Sequence, residues 1–294
     1  GDLTFLGASY GTRLGTVHAQ TYPQHVRALV LDGAIDPGAD TVRRQEQLFS
    51  GVQRSFDQLA AWCAESEGCP LGDDPAAASS VAQSLLQPLV DRPLPTADGR
   101  ELGFFPAVEA ILVGLYSQEA WPLVVDGLAD LARGRGETLL ALRDASAGRS
   151  PDGTYSDSVE ATLTINCLDE VHLSPREATD LVAQIDDLAP FLDPGQEVTT
   201  HDGCASWPSG STLDVPPSID TSRLPTSLVV SVTGDGLTPH EGGIALADLL
   251  DGALLTVEGE QHGATAAGNA CVDEVVERYL VSLETPEDGA RCTL

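Results

Sequence analysis

Serine, aspartate and histidine stand in this chain in the order that nucleophilic catalysis can use, each on a turn after an apolar run. Ser9 is the centre of Gly7-Ala8-Ser9-Tyr10-Gly11, between Leu3-Thr4-Phe5-Leu6 and a segment that can turn helical. A GxSxG turn of this kind holds the serine in a strained backbone with its hydroxyl exposed, and glycines are expected on both flanks where a Cβ would collide with strand or helix. The pentapeptide also arises by chance, so its context carries the weight. Asp235 lies in Thr233-Gly-Asp-Gly-Leu-Thr-Pro239, just after Leu228-Val-Val-Ser-Val232. His262 lies in Glu258-Gly-Glu-Gln-His-Gly263, after Leu254-Leu-Thr-Val257. In such a set the imidazole accepts the hydroxyl proton as the oxygen attacks a carbonyl, the carboxylate orients the ring, and the N–H of Tyr10 helps hold the oxyanion.

The elements needed to position these residues are legible. The first 36 residues read strand, turn, helix, strand, with Val26 to Leu31 as the second strand and Asp32-Gly-Ala-Ile-Asp-Pro37 punctuating it. From about 40 to 215 the pattern becomes helical: Arg43 to Ala64, Ala76 to Val90, Ala107 to Leu115, Trp121 to Arg133 and Pro175 to Ile185, separated by polar and Gly/Pro-rich loops. Strand and helix alternation resumes at about 216. The expectation is an α/β fold: the later strands of an α/β-hydrolase core with an inserted, mainly helical cap, divided as 1–39, 40–215 and 216–294.

The other histidines compete poorly for the role of base. His18 and His25 fall in or just after the first helix, His172 and His201 in the middle of the chain, and His240 after the Thr-Pro pair, where it could line the site. Asp235 has a plainer reading as a turn aspartate beside Gly236. Its place after a late strand favours catalysis.

Composition narrows the function classes. With 45 acidic and 15 basic residues, the net charge of −30 argues against binding nucleic acid or anionic lipid. Basic partners or peptide amines fit better, although acidity that only maintains solubility is equally compatible. No apolar run is long enough for a membrane span. A metal site is disfavoured because neither a CxxC pair nor a cysteine-histidine cluster occurs, and no cofactor is implied.

The chain resembles actinobacterial secreted tripeptidyl aminopeptidases, relatives of proline iminopeptidase within the α/β-hydrolases. The resemblance rests on Gly7-Ala-Ser-Tyr-Gly-Thr-Arg-Leu-Gly15 and Leu29-Val-Leu-Asp-Gly-Ala-Ile-Asp-Pro37, and on Ala61-Trp-Cys63. It continues through Asp235-Gly-Leu-Thr-Pro239, Gln261-His-Gly263 and the closing Cys271 to Cys292 segment. It implies a serine exopeptidase that releases short peptides from free amino termini through an acyl-enzyme. In that family the elbow follows a long amino-terminal portion carrying the first strands and a loop that donates part of the oxyanion hole. This sequence begins almost at the elbow, so an amino-terminal fragment of the same precursor is the implied partner, and Leu3 to Leu6 should be an interior strand.

Six cysteines allow fifteen full pairings. The local set Cys63 with Cys69, Cys167 with Cys204 and Cys271 with Cys292 closes short loops and agrees with the resemblance, implying a secreted or cell-surface protein. An exopeptidase must also hold the substrate ammonium. The candidates are Asp169 and Glu170 in Asn166-Cys-Leu-Asp-Glu170, for which a solvated acidic turn is an equally good reading. A carboxylesterase or lipase would use the same triad, and an acidic, disulfide-tied cap without a broad apolar stripe disfavours it. An inactive fragment lacking its amino-terminal half is the other alternative.

Overall fold

The computed structural model describes residues 1–196, 204, 207–211 and 219–294. His201 lies outside the described residues. The chain folds as two compact units, one of Gly1–Gly51 with Asp214–Leu294 and one of Val52–Leu213.

The first unit opens with β1 (Leu3–Ala8), α1 (Tyr10–Thr21) and β2 (Val26–Asp32), and α2 (Thr41–Ala64) begins in it and ends in the second unit. The second unit continues with α3 (Ala78–Leu86), α4 (Pro88–Asp91) and the short hairpin β3 (Leu94–Pro95) and β4 (Glu101–Leu102). It then adds α5 (Phe104–Gly114), α6 (Trp121–Ala132), α7 (Glu137–Ser146), α8 (Ser158–Asp169) and α9 (Pro175–Leu188). The first unit resumes with β5 (Leu228–Val232), α10 (His240–Leu250), β6 (Ala253–Glu258), α11 (Ala270–Ser282) and β7 (Arg291–Thr293).

The five-stranded sheet has the order β1-β2-β5-β6-β7, and every neighbouring pair is parallel. Strands buried on both faces read as continuous apolar runs, which is why Val26–Asp32 and Leu228–Val232 were legible. Their side chains divide by alternation. Ala28, Val30, Leu228, Val230, Leu255 and Val257 pack with Val272, Val276 and Tyr279 of α11. Leu29, Leu31 and Val229 pack with Ala19 of α1 and with Leu246, Ala247 and Leu250 of α10. The Tyr279 hydroxyl donates to the Thr226 carbonyl and accepts from the Leu29 N–H, both at 2.9 Å. Arg27 donates to the carbonyls of Leu280 and Val281, placing a cation at the C-terminal end of α11, where the helix dipole favours one.

β1 has β2 as its neighbour and no strand on its other side among the described residues. Thr4, Leu6 and Ala8 are exposed, while Phe5 is half-buried beneath α1. α1 lies close to the sheet because Gly15 leaves room: a Cβ there would come within 2.7 Å of Leu31 Cδ2.

In the second unit the helix expected over Ala76 to Val90 is two helices. Pro88 lacks the N–H that would continue the ladder and opens α4 as its first residue. α7 and α8 fall where loops were expected. The Phe56 and Phe191 rings stack at 4.1 Å, and the buried carboxylate of Asp144 accepts from Arg100 at 2.7 Å and from the Tyr155 hydroxyl at 2.9 Å. α9 begins with a capping box in which Ser174 and Glu177 satisfy each other's backbone N–H groups. The disulfides are Cys63–Cys69, Cys167–Cys204 and Cys271–Cys292.

Candidate active site

Ser9 sits between the last residue of β1 and the first of α1 with φ 54° and ψ −120°, in the sparsely populated positive-φ region. Such a conformation costs about 1–3 kcal/mol in a non-glycine residue and persists only where its surroundings hold it. The hold is visible. The Ser9 N–H donates to the Asp32 carbonyl at 2.9 Å, and the Ser9 carbonyl accepts from the Thr12 N–H at 2.9 Å and the Thr12 hydroxyl at 2.7 Å. On one flank the reason for glycine is steric, since a Cβ on Gly7 would run into the Phe5 ring and the Gly11 backbone. The other flank corrects the expectation: a Cβ on Gly11 would meet nothing within 4 Å. Packing within the turn constrains Gly7 and leaves Gly11 unconstrained.

Asp235 lies in the loop between β5 and α10 and is 1% exposed. Its Oδ1 accepts the N–H groups of Leu237 and Thr238, each at 2.9 Å, which fixes the turn and aims the carboxylate. Oδ2 accepts from the Thr238 hydroxyl at 2.8 Å and the Gly263 N–H at 3.2 Å. Both oxygens lie 3.0 Å from His262 Nδ1, which donates to them and leaves Nε2 for another partner. His262 follows β6, so acid and base stand beyond the carboxyl ends of neighbouring parallel strands.

Gly33 joins Ser9 to this pair. Its N–H donates to the Val230 carbonyl at 3.1 Å, and its φ is +61°. A Cβ there would stand 2.9 Å from Thr238 Oγ1, 3.3 Å from Asp235 Oδ2 and 3.5 Å from His262 Cε1. The residue before Gly33 is Asp32, whose carbonyl holds the Ser9 N–H. One residue therefore separates the serine's backbone contact from the imidazole.

The remaining described histidines lie in other surroundings. His18 lies against the Tyr22 ring in the last turn of α1, and His25 closes a short turn before β2. His172 donates from Nε2 to the Cys167 carbonyl at 2.8 Å in the second unit. His240 opens α10 with Nδ1 2.8 Å from the buried Ser231 hydroxyl, and burial lowers its pKa. Tyr10 is the first residue of α1, at the electropositive end of the helix. Asp169 ends α8 with its carbonyl accepting from the Ser211 hydroxyl, and Glu170 follows it, both half-buried in the second unit. Among the described residues, no group of histidine, cysteine, aspartate and glutamate side chains could hold a metal ion.

Three residues at the site were missed by sequence reasoning: Asp32, Gly33 and Thr238. In the sequence Asp32 and Gly33 read as punctuation after a strand, and Thr238 as part of a turn.

A parallel sheet with a strained serine after one strand, an acid after a later one and a histidine after the next defines an α/β-hydrolase. Residues 189–292 match the family described as TAP-like protein. The chain is 41% identical over 302 residues to serine protease Hip1 of Mycobacterium tuberculosis, covering 99% of this chain and 58% of that protein. It is 38% identical to carboxylesterase B of the same organism, covering 93% of this chain and 53% of that protein. Tripeptidyl aminopeptidase of Streptomyces lividans is 27% identical over 99% of this chain and 54% of its own length. The fold is that of an α/β-hydrolase whose carboxyl-terminal part matches the TAP-like family, and the chain spans about half the length of the curated relatives it matches.

Proposed function

We propose that this chain carries the triad of a serine exopeptidase that releases short peptides from free amino termini. The observation that carries the reading is a positive-φ serine whose N–H bonds the Asp32 carbonyl, next to the Gly33 that borders the hydrogen-bonded Asp235–His262 pair. Ser9 Oγ attacks the scissile carbonyl carbon while His262 Nε2 takes its proton, and the Tyr10 N–H helps stabilise the oxyanion. The C–N bond then breaks, the leaving amine takes the proton from Nε2, and water repeats the sequence on the acyl-enzyme. Asp235 keeps the proton of the neutral ring on Nδ1 and stabilises the imidazolium. Recognition of the substrate ammonium is assigned to Asp169 and Glu170 by charge-assisted hydrogen bonding. The free edge of β1 and the greater length of the relatives support an amino-terminal segment of the same precursor as partner, supplying the second oxyanion donor. The three disulfides support a secreted or cell-surface location.

One observation favours a second reading. α8 exposes Val159 and Leu163 one turn apart, an apolar face the sequence did not suggest, and a relative bears the name carboxylesterase B. An esterase acting on apolar acyl groups would use the same triad.

The test uses the full-length protein and a fluorophosphonate probe. Ser9 is modified in the parent and Ser9→Ala is unlabelled and inactive; persistent labelling of the variant at the site would defeat the assignment of the nucleophile. Peptidyl amides with free amino termini are cleaved, and acetylated ones and fatty-acyl esters are not. Equal cleavage of capped and free peptides would rule out the exopeptidase reading, and preference for the esters would select the second. Asp169→Asn and Glu170→Gln should raise KM for free peptides only.

A further inference from the structure

β2 ends at Asp32, and this one residue reaches both halves of the site. Its main chain accepts from Ser9 N–H at 2.9 Å, so it is part of what keeps the serine at positive φ. Its side chain points to the loop after His262. Oδ2 accepts from the Ala264 N–H at 2.7 Å, the Thr265 N–H at 2.6 Å and the Thr265 hydroxyl at 2.6 Å. Asp32 is 1% exposed, and its other oxygen, Oδ1, is buried with no hydrogen-bond partner among the described residues.

A buried carboxylate with one oxygen unmet is costly and needs a reason. Three donors converging on one charged oxygen provide it, because charge-assisted hydrogen bonds are shorter and about twice as strong as neutral ones. The loop has little freedom left. Gly263, between His262 and these amides, has φ +71°, and a Cβ there would come within 3.3 Å of Asp32 Oδ2. Asp235 takes the N–H of Gly263, and Asp32 takes the next two. The histidine loop is thus pinned by two carboxylates, of which only Asp235 touches the ring.

We infer that Asp32 is a positioning residue that sets the distance between nucleophile and base, its carbonyl holding Ser9 and its carboxylate holding the His262 loop. This rests on the reading of Ser9 and His262 as nucleophile and base. The consequence is kinetic. Loosening the contact displaces His262 relative to Ser9 without altering any surface that binds substrate, so kcat falls and KM does not.

In the full-length protein, Asp32→Ala should lower kcat and the rate of fluorophosphonate labelling of Ser9 by about 100-fold, the scale of loss when reacting groups are misplaced by about 1 Å. Where that variant fails to fold, Asp32→Asn and Thr265→Val decide, since each keeps the volume of the site. Each should slow labelling with KM unchanged, and the two losses should fall short of multiplying, with a shortfall of about twofold or more because they weaken one contact. Amide exchange at Ala264 and Thr265 should quicken in Asp32→Asn. Labelling of Asp32→Asn at the parent rate, losses that multiply as independent effects, or a change in KM alone would each overturn the inference. Labelling of Ser9→Ala would instead remove the catalytic reading, leaving the exchange measurement to decide whether Asp32 holds the loop.

Discussion

Replacing Asp235 by asparagine separates the role of the acid from that of the turn around it. The turn fixes the amide's orientation: two backbone N–H groups, of Leu237 and Thr238, point at Oδ1 from 2.9 Å, so the carbonyl oxygen of asparagine must stay there. The amide nitrogen then takes the place of Oδ2, facing His262 Nδ1 at 3.0 Å, the Thr238 hydroxyl and the Gly263 N–H. Oδ1 lies equally 3.0 Å from Nδ1, so the amide faces the ring with one acceptor and one donor; where Nδ1 accepts from the amide, the ring proton moves to Nε2, the atom that must be unprotonated to accept from Ser9. The Thr238 hydroxyl can rotate to accept, whereas the Gly263 N–H loses its acceptor at a cost of about 1–3 kcal/mol in stability. The wrong tautomer costs about 10⁴-fold in kcat in triads of this kind. At 1.36 kcal/mol per factor of ten, that is about 5.5 kcal/mol of transition-state stabilisation. The assay is hydrolysis of a chromogenic tripeptidyl amide by full-length protein, with circular dichroism and a thermal melt on the same samples. A folded variant turning over within tenfold of the parent would refute the role given to Asp235.

Gly33→Ala should lower both stability and kcat, because a Cβ at φ +61° is strained by about 1–3 kcal/mol and would stand 2.9 Å from Thr238 Oγ1; an unchanged melting temperature and kcat would show that the space is not tight. His240 bears on stability in acid. Burial is the main cause of its lowered pKa, with Arg291 adding to it and Glu241 opposing. Below pH 6.5 the unfolded chain takes this proton more readily than the folded one, so the contribution is intact above 6.5 and is lost as pH falls below it. Replacing it as His240→Asn should therefore flatten the dependence of melting temperature on pH between about 7 and 5, and a parallel curve for parent and variant would contradict this.

What could be read in advance was whatever depends on neighbours along the chain. The Gly7 to Gly11 turn is local, and Asp235 and His262 each follow an apolar run whose burial on both faces makes it conspicuous. Asp32 could not be found that way. Its function arises from the register that sets Ala8 beside Asp32 and from donors 232 and 233 residues further on. Thr238 reads as an ordinary turn residue until its hydroxyl is seen between Asp235 and His262. α8 escaped notice because Ser158–Asp169 buries only Cys167 and so lacks the apolar periodicity that marks a helix packed on a core. Gly11 misled because the motif names two glycines while the packing constrains one.

The two margins of the sheet differ in length and finish. At one, β7 contributes three residues, and the Cys271–Cys292 disulfide ties it to α11. At the other, β1 offers six residues and an exposed Leu6. Short edge strands are poor templates and long ones are good, so strand addition has one usable face here. Two copies meeting through β1 about a two-fold axis would pair antiparallel and consume that face in both, leaving nothing from which a third could grow. Pairing of this kind through the described strands would close at a dimer, and a segment that occupies β1 would exclude it.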